Sequence, residues 1–151
     1  MTPARAVLLG TLTVGVLDAL DAVVFFGLRG VAPIRIFQSI ASGLLGAAAY
    51  GGGLSTALLG AALHFLIALA VVGSYVLASR RFAVLARHPF VCGPLYGLLV
   101  YAVMNLAVVP LSAAVVGPPS LPAVVNGLLI HVLGVGLPAA LFARAARPTP
   151  R

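Results

Sequence analysis

The sequence predicts an all-α membrane protein, a bundle of four transmembrane helices with one additional short helix. Hydrophobic residues make up 62% of the 151 positions and charged residues only 7%, too little charge to cover the surface of a soluble domain. Four apolar runs are each long enough to cross a bilayer, and the basic residues, all arginine, lie between or beyond these runs. A chain of this length predicts a single transmembrane domain over residues 1–151.

The predicted spans are residues 6–28, 56–79, 93–115 and 122–143. The first run is about as long as a bilayer is thick, whereas the apolar core of a signal peptide has about 7–15 residues. The sequence therefore predicts that the first helix is retained in the protein. Pro110 and Pro138 each remove a backbone N–H from the third and fourth spans, which predicts a kink in both helices.

Residues 34–50 form a further apolar segment that is short for a span. Ser39, Ser42, Gly43 and Gly46 recur in it at helical spacing and predict a face of small residues that packs on the bundle. A fifth span here would move the arginines that follow the second apolar run to the opposite side of the membrane. We therefore predict a short helix on the outer side of the membrane, either interfacial or re-entrant.

The arginines lie mainly on one side of the predicted bundle, and only Arg29 and Arg35 fall on the other. The positive-inside rule then predicts a multi-pass protein with both termini in the cytoplasm. Arg80, Arg81 and Arg87 border apolar runs, so we expect them near anionic lipid headgroups and not on nucleic acid. The arginines assigned to the cytoplasmic side are Arg5, Arg80, Arg81, Arg87, Arg144, Arg147 and Arg151.

Asp18 and Asp21 are the only acidic residues of the chain, and both lie inside the first span. Because they are three residues apart they share one helix face, and a carboxylate at the bilayer centre costs about 2.5–3.5 kcal/mol on insertion scales. They therefore need a protein partner or a water-filled cavity. At a rise of about 1.5 Å per residue, each of the other spans places a polar side chain near the same level. These side chains are His64, Asn105 and His131, with Tyr101 and Asn126 close by.

This polar cluster predicts a site for proton- or cation-linked transport, in which Asp18 and Asp21 carry the ion. Two close carboxylates resist simultaneous ionisation, and His64 or His131 would relay a proton. A pathway within four helices is narrow, which favours a homo-oligomer. Further hydrogen-bond donors around the site would be Tyr101, Asn105 and Asn126.

Two other functions remain open from the sequence. In the first, the chain is a structural or assembly subunit of a membrane complex, and its polar side chains only stabilise the helix bundle by hydrogen bonds between helices. Alternatively, Gly60-x-x-x-His64 recurs as Gly127-x-x-x-His131, a hint of two related helix hairpins whose facing imidazoles would ligate a b-type haem or a metal ion. No other cofactor is expected.

Enzymatic chemistry has no support in the sequence. The chain contains no Gly-rich phosphate loop, no Cys-x-x-Cys pair, no H-E-x-x-H helix and no G-x-S-x-G turn. Its single cysteine, Cys92, excludes an internal disulfide. The sequence therefore predicts a membrane protein that is not an enzyme.

Several short stretches, spread over most of the chain, carry a resemblance to a known group of proteins. They are Leu17-Asp18, residues 38–46 (QSIASGLLG), Leu63-His64-Phe65, Tyr96-Gly97, Met104-Asn105 and Pro110-Leu111-Ser112. In these stretches the sequence resembles an uncharacterised family of small four-span bacterial integral membrane proteins of unassigned function. The resemblance implies a location in the bacterial inner membrane and a packed helix at residues 38–46. It implies no reaction and no substrate.

Overall fold

The computed structural model describes residues 1–147, so Arg151 lies outside the described residues. Four of its helices are long and apolar enough to cross a membrane, which confirms the predicted all-α class and makes the chain a multi-pass membrane protein. Residues 1–147 contain no strand. The helices are α1 (Pro3–Gly27), α2 (Pro33–Leu45), α3 (Gly53–Arg81), α4 (Ala83–Arg87), α5 (Pro89–Leu111) and α6 (Leu121–Ala145), with a 3₁₀ helix at Gly46–Gly51.

Three of the spanning helices begin at residues suited to a helix N-terminus. The Thr2 side chain accepts a hydrogen bond from the Arg5 N–H at 3.3 Å, and Ser120 accepts one from the Ala123 N–H at 3.4 Å. Pro89 occupies the first turn of α5, where its missing N–H costs nothing. These local signals set where α1, α5 and α6 start.

Helix α5 covers Pro89–Leu111 and is displaced by four residues at each end from the third predicted span at residues 93–115. The helix begins earlier because proline is favoured in a first turn. It ends earlier because the backbone becomes extended at Ser112, with a ψ of 176°. The Ser112 hydroxyl donates to the Val109 carbonyl at 2.8 Å and satisfies one of the last helical acceptors.

Helix α2 packs between α3 and the extended residues 113–115. The Ala113 N–H donates to the Gly43 carbonyl at 3.0 Å, so the small-residue face of α2 contacts protein as predicted. On the side of α3, a Cβ atom at Gly60 would overlap the Phe37 carbonyl oxygen. With 13 residues, α2 is about 20 Å long and too short to cross the hydrocarbon core.

Most arginines gather at one end of the bundle, which we call the arginine-rich end. The Met1 nitrogen lies 3.2 Å from the Ala145 carbonyl oxygen, and Arg147 Nη1 donates to the Ala83 carbonyl at 3.0 Å. These contacts bring together the start of α1, the end of α6 and α4. Within residues 1–147 the arginine-rich end holds Arg5, Arg80, Arg81, Arg87, Arg144 and Arg147, and the opposite, arginine-poor end holds Arg29 and Arg35.

Helix α6 is the central helix, since it packs against α1, α3 and α5. Its contact with α5 is a glycine contact in which the two backbones touch. A Cβ atom at Gly97 would overlap the His131 carbonyl oxygen, and one at Gly136 would overlap the Gly93 carbonyl oxygen. In a membrane, small residues of this kind allow helices to associate by close packing, because burial of apolar surface gives little drive.

The spans that contain Pro110 and Pro138 each include a π-helical turn, Met104–Val108 in α5 and His131–Gly136 in α6. Pro110 and Pro138 follow these turns by two residues. A proline ring clashes with the carbonyl four residues earlier, and the wider π turn accommodates that clash. The π-helical turns thus lie where the sequence predicted kinks.

The close-packed core lies in the half of the bundle next to the arginine-rich end. Tyr75 is only 1% exposed, and its hydroxyl donates to the Leu85 carbonyl at 2.9 Å. The rest of the core is made of small and β-branched residues, which suit close helix packing. They are Val14, Ala68, Val72, Val76, Val100, Val135, Ala139, Ala140 and Ala143. Four of these, Val14, Ala68, Val100 and Val135, also border the polar cavity described next.

Candidate functional site

A cavity of about 370 Å³ opens in the bundle directly beyond the core. Each spanning helix contributes one polar side chain to its wall, and the four are Asp18 from α1, His64 from α3, Asn105 from α5 and His131 from α6. The sequence predicts these four near one level, and the structure brings them to one cavity. The remaining lining is mainly apolar, as is usual for a site of this size that binds small ligands.

The cavity occupies a cleft between α3 and α5. Towards the arginine-rich end, Tyr96 of α5 closes the cleft: its hydroxyl donates to the Val71 carbonyl at 2.8 Å and lies 2.8 Å from Ser74 Oγ. Towards the other end, the cleft continues into an apolar cavity of about 310 Å³. The two cavities share the lining residues Ile40, Ile67, Met104 and Val109.

His64 and Asp18 face each other across the α1–α3 interface, with 3.9 Å between His64 Nδ1 and Asp18 Oδ2. The other ring nitrogen, His64 Nε2, lies 2.8 Å from the Gly15 carbonyl oxygen. A carbonyl only accepts hydrogen bonds, so Nε2 must carry a hydrogen. In neutral His64 the unprotonated Nδ1 then faces a carboxyl oxygen.

His131 presents a different nitrogen to the cavity region. Its Nδ1 lies 2.8 Å from the Gly127 carbonyl oxygen one turn earlier in α6, which assigns the hydrogen to Nδ1. In the neutral ring Nε2 is then an acceptor, and it has no hydrogen-bond partner within residues 1–147. The Tyr101 ring packs edge-on against the imidazole, with 5.3 Å between ring centroids. Tyr101 thus orients His131 by its ring and not by its hydroxyl.

Asn105 stands at the mouth of the cavity, because its side chain lines the cavity and is also exposed. Its Nδ2 donates to the Tyr101 carbonyl at 2.9 Å, one turn earlier in α5. Asn105 and His131 each lie in a π-helical turn, and each bonds the carbonyl four residues before it. π turns of this kind often occur at functional sites in helices.

Asp21 is separated from this cavity. It does not line the wall, and its Oδ2 accepts a hydrogen bond of 2.6 Å from Asn126 Nδ2. This bond joins α1 to α6 nearer the arginine-poor end. The two aspartates, which the sequence grouped in one ion site, therefore have different partners: Asp18 faces His64 and Asp21 faces Asn126.

We expect Asp21 and Asn126 to be energetically coupled. Interhelical hydrogen bonds in membranes average about 0.6 kcal/mol and reach about 1.7 kcal/mol, and a bond as short as 2.6 Å belongs near the upper value. A double-mutant cycle of Asp21→Ala and Asn126→Ala, followed by unfolding in mixed micelles, should give a coupling free energy of about 1–2 kcal/mol. Additive effects of the two substitutions would show that the bond does not hold α1 against α6.

The two arginines of the arginine-poor end bond elsewhere and do not pair with the aspartates. Arg29 Nη1 donates to the Phe25 carbonyl at 2.7 Å, and Arg35 Nη1 donates to the Tyr50 carbonyl at 2.9 Å. In the part of the chain from 1 to 147, the only carboxylate with a cationic or imidazole partner within 4.0 Å is Asp18, beside His64. The cavity carboxyl group therefore has an imidazole and no arginine as its counterpart.

Two features of the structure concern the metal or haem site predicted at His64 and His131: the number of ligand side chains nearby and the free nitrogens of the two imidazoles. Among residues 1–147, no three His, Cys, Asp or Glu side chains come together to hold a metal ion. An imidazole that binds a metal also needs one nitrogen lone pair free for the metal. His131 Nε2 has a free lone pair in the neutral ring. Both nitrogens of His64 already face protein oxygens. The haem or metal site stays a prediction, and visible absorbance of the purified protein tests it.

Gly15 is the one site residue that the sequence analysis missed. Its carbonyl fixes the tautomer of His64, and a Cβ atom in its place would lie 2.5 Å from the Phe65 ring. The available signal was its position three residues before Asp18, which puts both on one face of α1. A glycine on the face that carries the acidic pair marks the place where another helix comes close.

Comparison of the chain with protein-family models, with curated proteins and with solved structures finds no match. The resemblance to a family of four-span bacterial membrane proteins therefore stays a prediction. Function is inferred below from the cavity and its side chains.

Proposed function

We propose that this chain is a small membrane transport protein in which the cavity takes up and releases a proton. The observation that carries the proposal is the facing of His64 Nδ1 and Asp18 Oδ2, with the other His64 nitrogen held by the Gly15 carbonyl. An imidazole nitrogen that faces a carboxyl group inside a membrane-spanning bundle is a functional arrangement by default. Asp18 would carry the proton and His64 would exchange it.

His131 and Asn105 would extend the path along the cavity wall. The free acceptor of His131 can receive a proton or a hydrogen-bonded ligand, and Asn105 at the cavity mouth offers an amide to the same space. A cation coupled to the proton would occupy the same cavity, bound by Asp18 and by side-chain and backbone oxygens. Asp21 keeps its bond to Asn126 and would support α1 without carrying the ion.

The membrane setting of this proposal follows from the arginines. We infer that the arginine-rich end faces the cytoplasm of a bacterial inner membrane, with Arg80, Arg81 and Arg87 near anionic headgroups. A homo-oligomer is part of the proposal, because an exposed amide such as Asn105 within a spanning helix is costly against lipid and gains a partner from a second copy.

Purified protein in liposomes should dissipate a pH gradient faster than protein-free liposomes do. The measurement uses a trapped pH dye, an imposed gradient of one pH unit and a clamped membrane potential, so that only proton movement is followed. Repeating the experiment with sodium or potassium gradients separates a proton pathway from a proton-coupled cation pathway. Decay at the protein-free rate under every gradient would contradict transport.

A second candidate function is a structural or assembly subunit. The Asp21–Asn126 bond favours it, because this bond joins two helices and needs no ion. In that case Asp18 and His64 would also serve only to hold α1 against α3. The liposome experiment separates the two functions, since a structural subunit leaves the pH gradient intact.

A further inference from the structure

A second cavity, of about 500 Å³, lies at the arginine-rich end, far from the polar cavity. Its wall combines the start of α1, the end of α3 and the end of α6. Two arginines are among its lining residues, Arg80 from α3 and Arg147 after α6. The other lining residues are Met1, Pro3, Val76, Ser79, Ala143 and Ala146.

Most hydrogen-bond donors of the two arginines have no partner within residues 1–147. Arg147 uses Nη1 on the Ala83 carbonyl at 3.0 Å, which fixes the side chain and leaves its other N–H groups. Arg80 has neither a hydrogen bond nor a carboxylate partner within residues 1–147. The helix dipole gives a simpler reason for Arg80, because a positive charge in the last turn of a helix is stabilised there. It gives no reason for the second arginine, Arg147, in the same cavity.

No carboxylate of the described chain compensates these charges. Both aspartates lie in α1, the nearer one 15 residues beyond Pro3, which is about 22 Å along the helix. The N-terminus of α1, with its positive dipole end, borders the same cavity through Pro3. Two positive charges and the positive end of a helix dipole around one cavity favour the binding of an anion there.

We propose that this cavity binds a phosphate group, contributed by an anionic lipid headgroup or by a free phosphate compound. Guanidinium groups bind phosphate through paired N–H···O hydrogen bonds, and two of them from different helices would hold one phosphate from two sides. The position suits the proposal, because the ends of spanning helices lie at the level of the headgroups. The site is independent of the proton cavity and of the proposed transport.

The test follows the melting temperature of the intact protein in a neutral detergent. Phosphatidylglycerol, phosphatidylcholine, inorganic phosphate and chloride at matched ionic strength are added in separate samples. At about 100 times the dissociation constant, a bound ligand should raise the melting temperature by about 5–10 °C. A rise with phosphatidylglycerol alone identifies a lipid headgroup, and a rise with inorganic phosphate identifies a free phosphate compound.

Matched variants show whether the cavity carries the effect. R80Q/R147Q should lose the rise, whereas R5Q/R144Q should keep it, because it removes the same charge from the same end outside the cavity. R80K/R147K should retain only part of the rise, since lysine keeps the charge and loses the paired geometry. The absence of any rise in the wild-type protein, or an equal loss in both glutamine variants, would overturn the proposal.

Discussion

Gly97→Ala is expected to destabilise the bundle by at least about 3 kcal/mol, at the high end of what single overpacking substitutions cost. The added Cβ atom would overlap the His131 carbonyl oxygen, so backbone and not a flexible side chain would have to move. The same contact positions the π turn that holds His131 in the cavity wall. Loss of the α5–α6 contact should therefore lower the melting temperature in detergent by about 6–12 °C.

Gly73→Ala is the matched control for this substitution. Gly73 lies in the spanning helix α3, and a Cβ atom there would meet nothing within 4 Å. Alanine is a better helix former than glycine by about 1 kcal/mol, so the control should melt at the wild-type temperature or above it. If both variants lost stability equally, the glycine contact between α5 and α6 would not be the cause.

Asp18→Asn should reduce proton flux in liposomes at least about tenfold, towards the rate of protein-free vesicles, because a positioned proton-transfer group contributes about 10²- to 10⁴-fold. The amide neither binds nor releases a proton, and His64 Nδ1 then faces a neutral group. Stability should stay the same or rise, since an amide is less costly in hydrocarbon than a carboxylate. Flux and melting temperature are to be measured on the same preparation.

Asp21→Asn applies the same chemical change three residues away and serves as the control. Asp21 bonds Asn126 and does not line the cavity, so its variant should keep most of the proton flux. An equal loss of flux in both variants would mean that the two carboxyl groups act as one site, as the sequence alone predicted. Unchanged flux in both, with a lower melting temperature in Asp18→Asn, would favour the structural subunit.

The depth of the polar residues could be predicted from the sequence, whereas their pairing could not. Counting from the ends of the apolar runs placed Asp18, His64, Asn105 and His131 near one level, and all four line the same cavity. Depth follows from rise per residue, which is local. Pairing depends on which helix lies opposite each residue: Asp18 faces His64 of α3, whereas Asp21, about 4.5 Å further along α1, meets Asn126 of α6.

The sequence by itself determined the all-α class, the four spans and the division of the arginines between the two ends. These follow from apolar length and from the positions of charge, which any membrane imposes on a chain. The tertiary structure alone decided where α5 ends, which partner each aspartate contacts and where the cleft between α3 and α5 lies. Backbone contacts at Gly97 and Gly136, together with the hydrogen bonds that residues 113–115 make to α2, are long-range and depend on the assembled bundle.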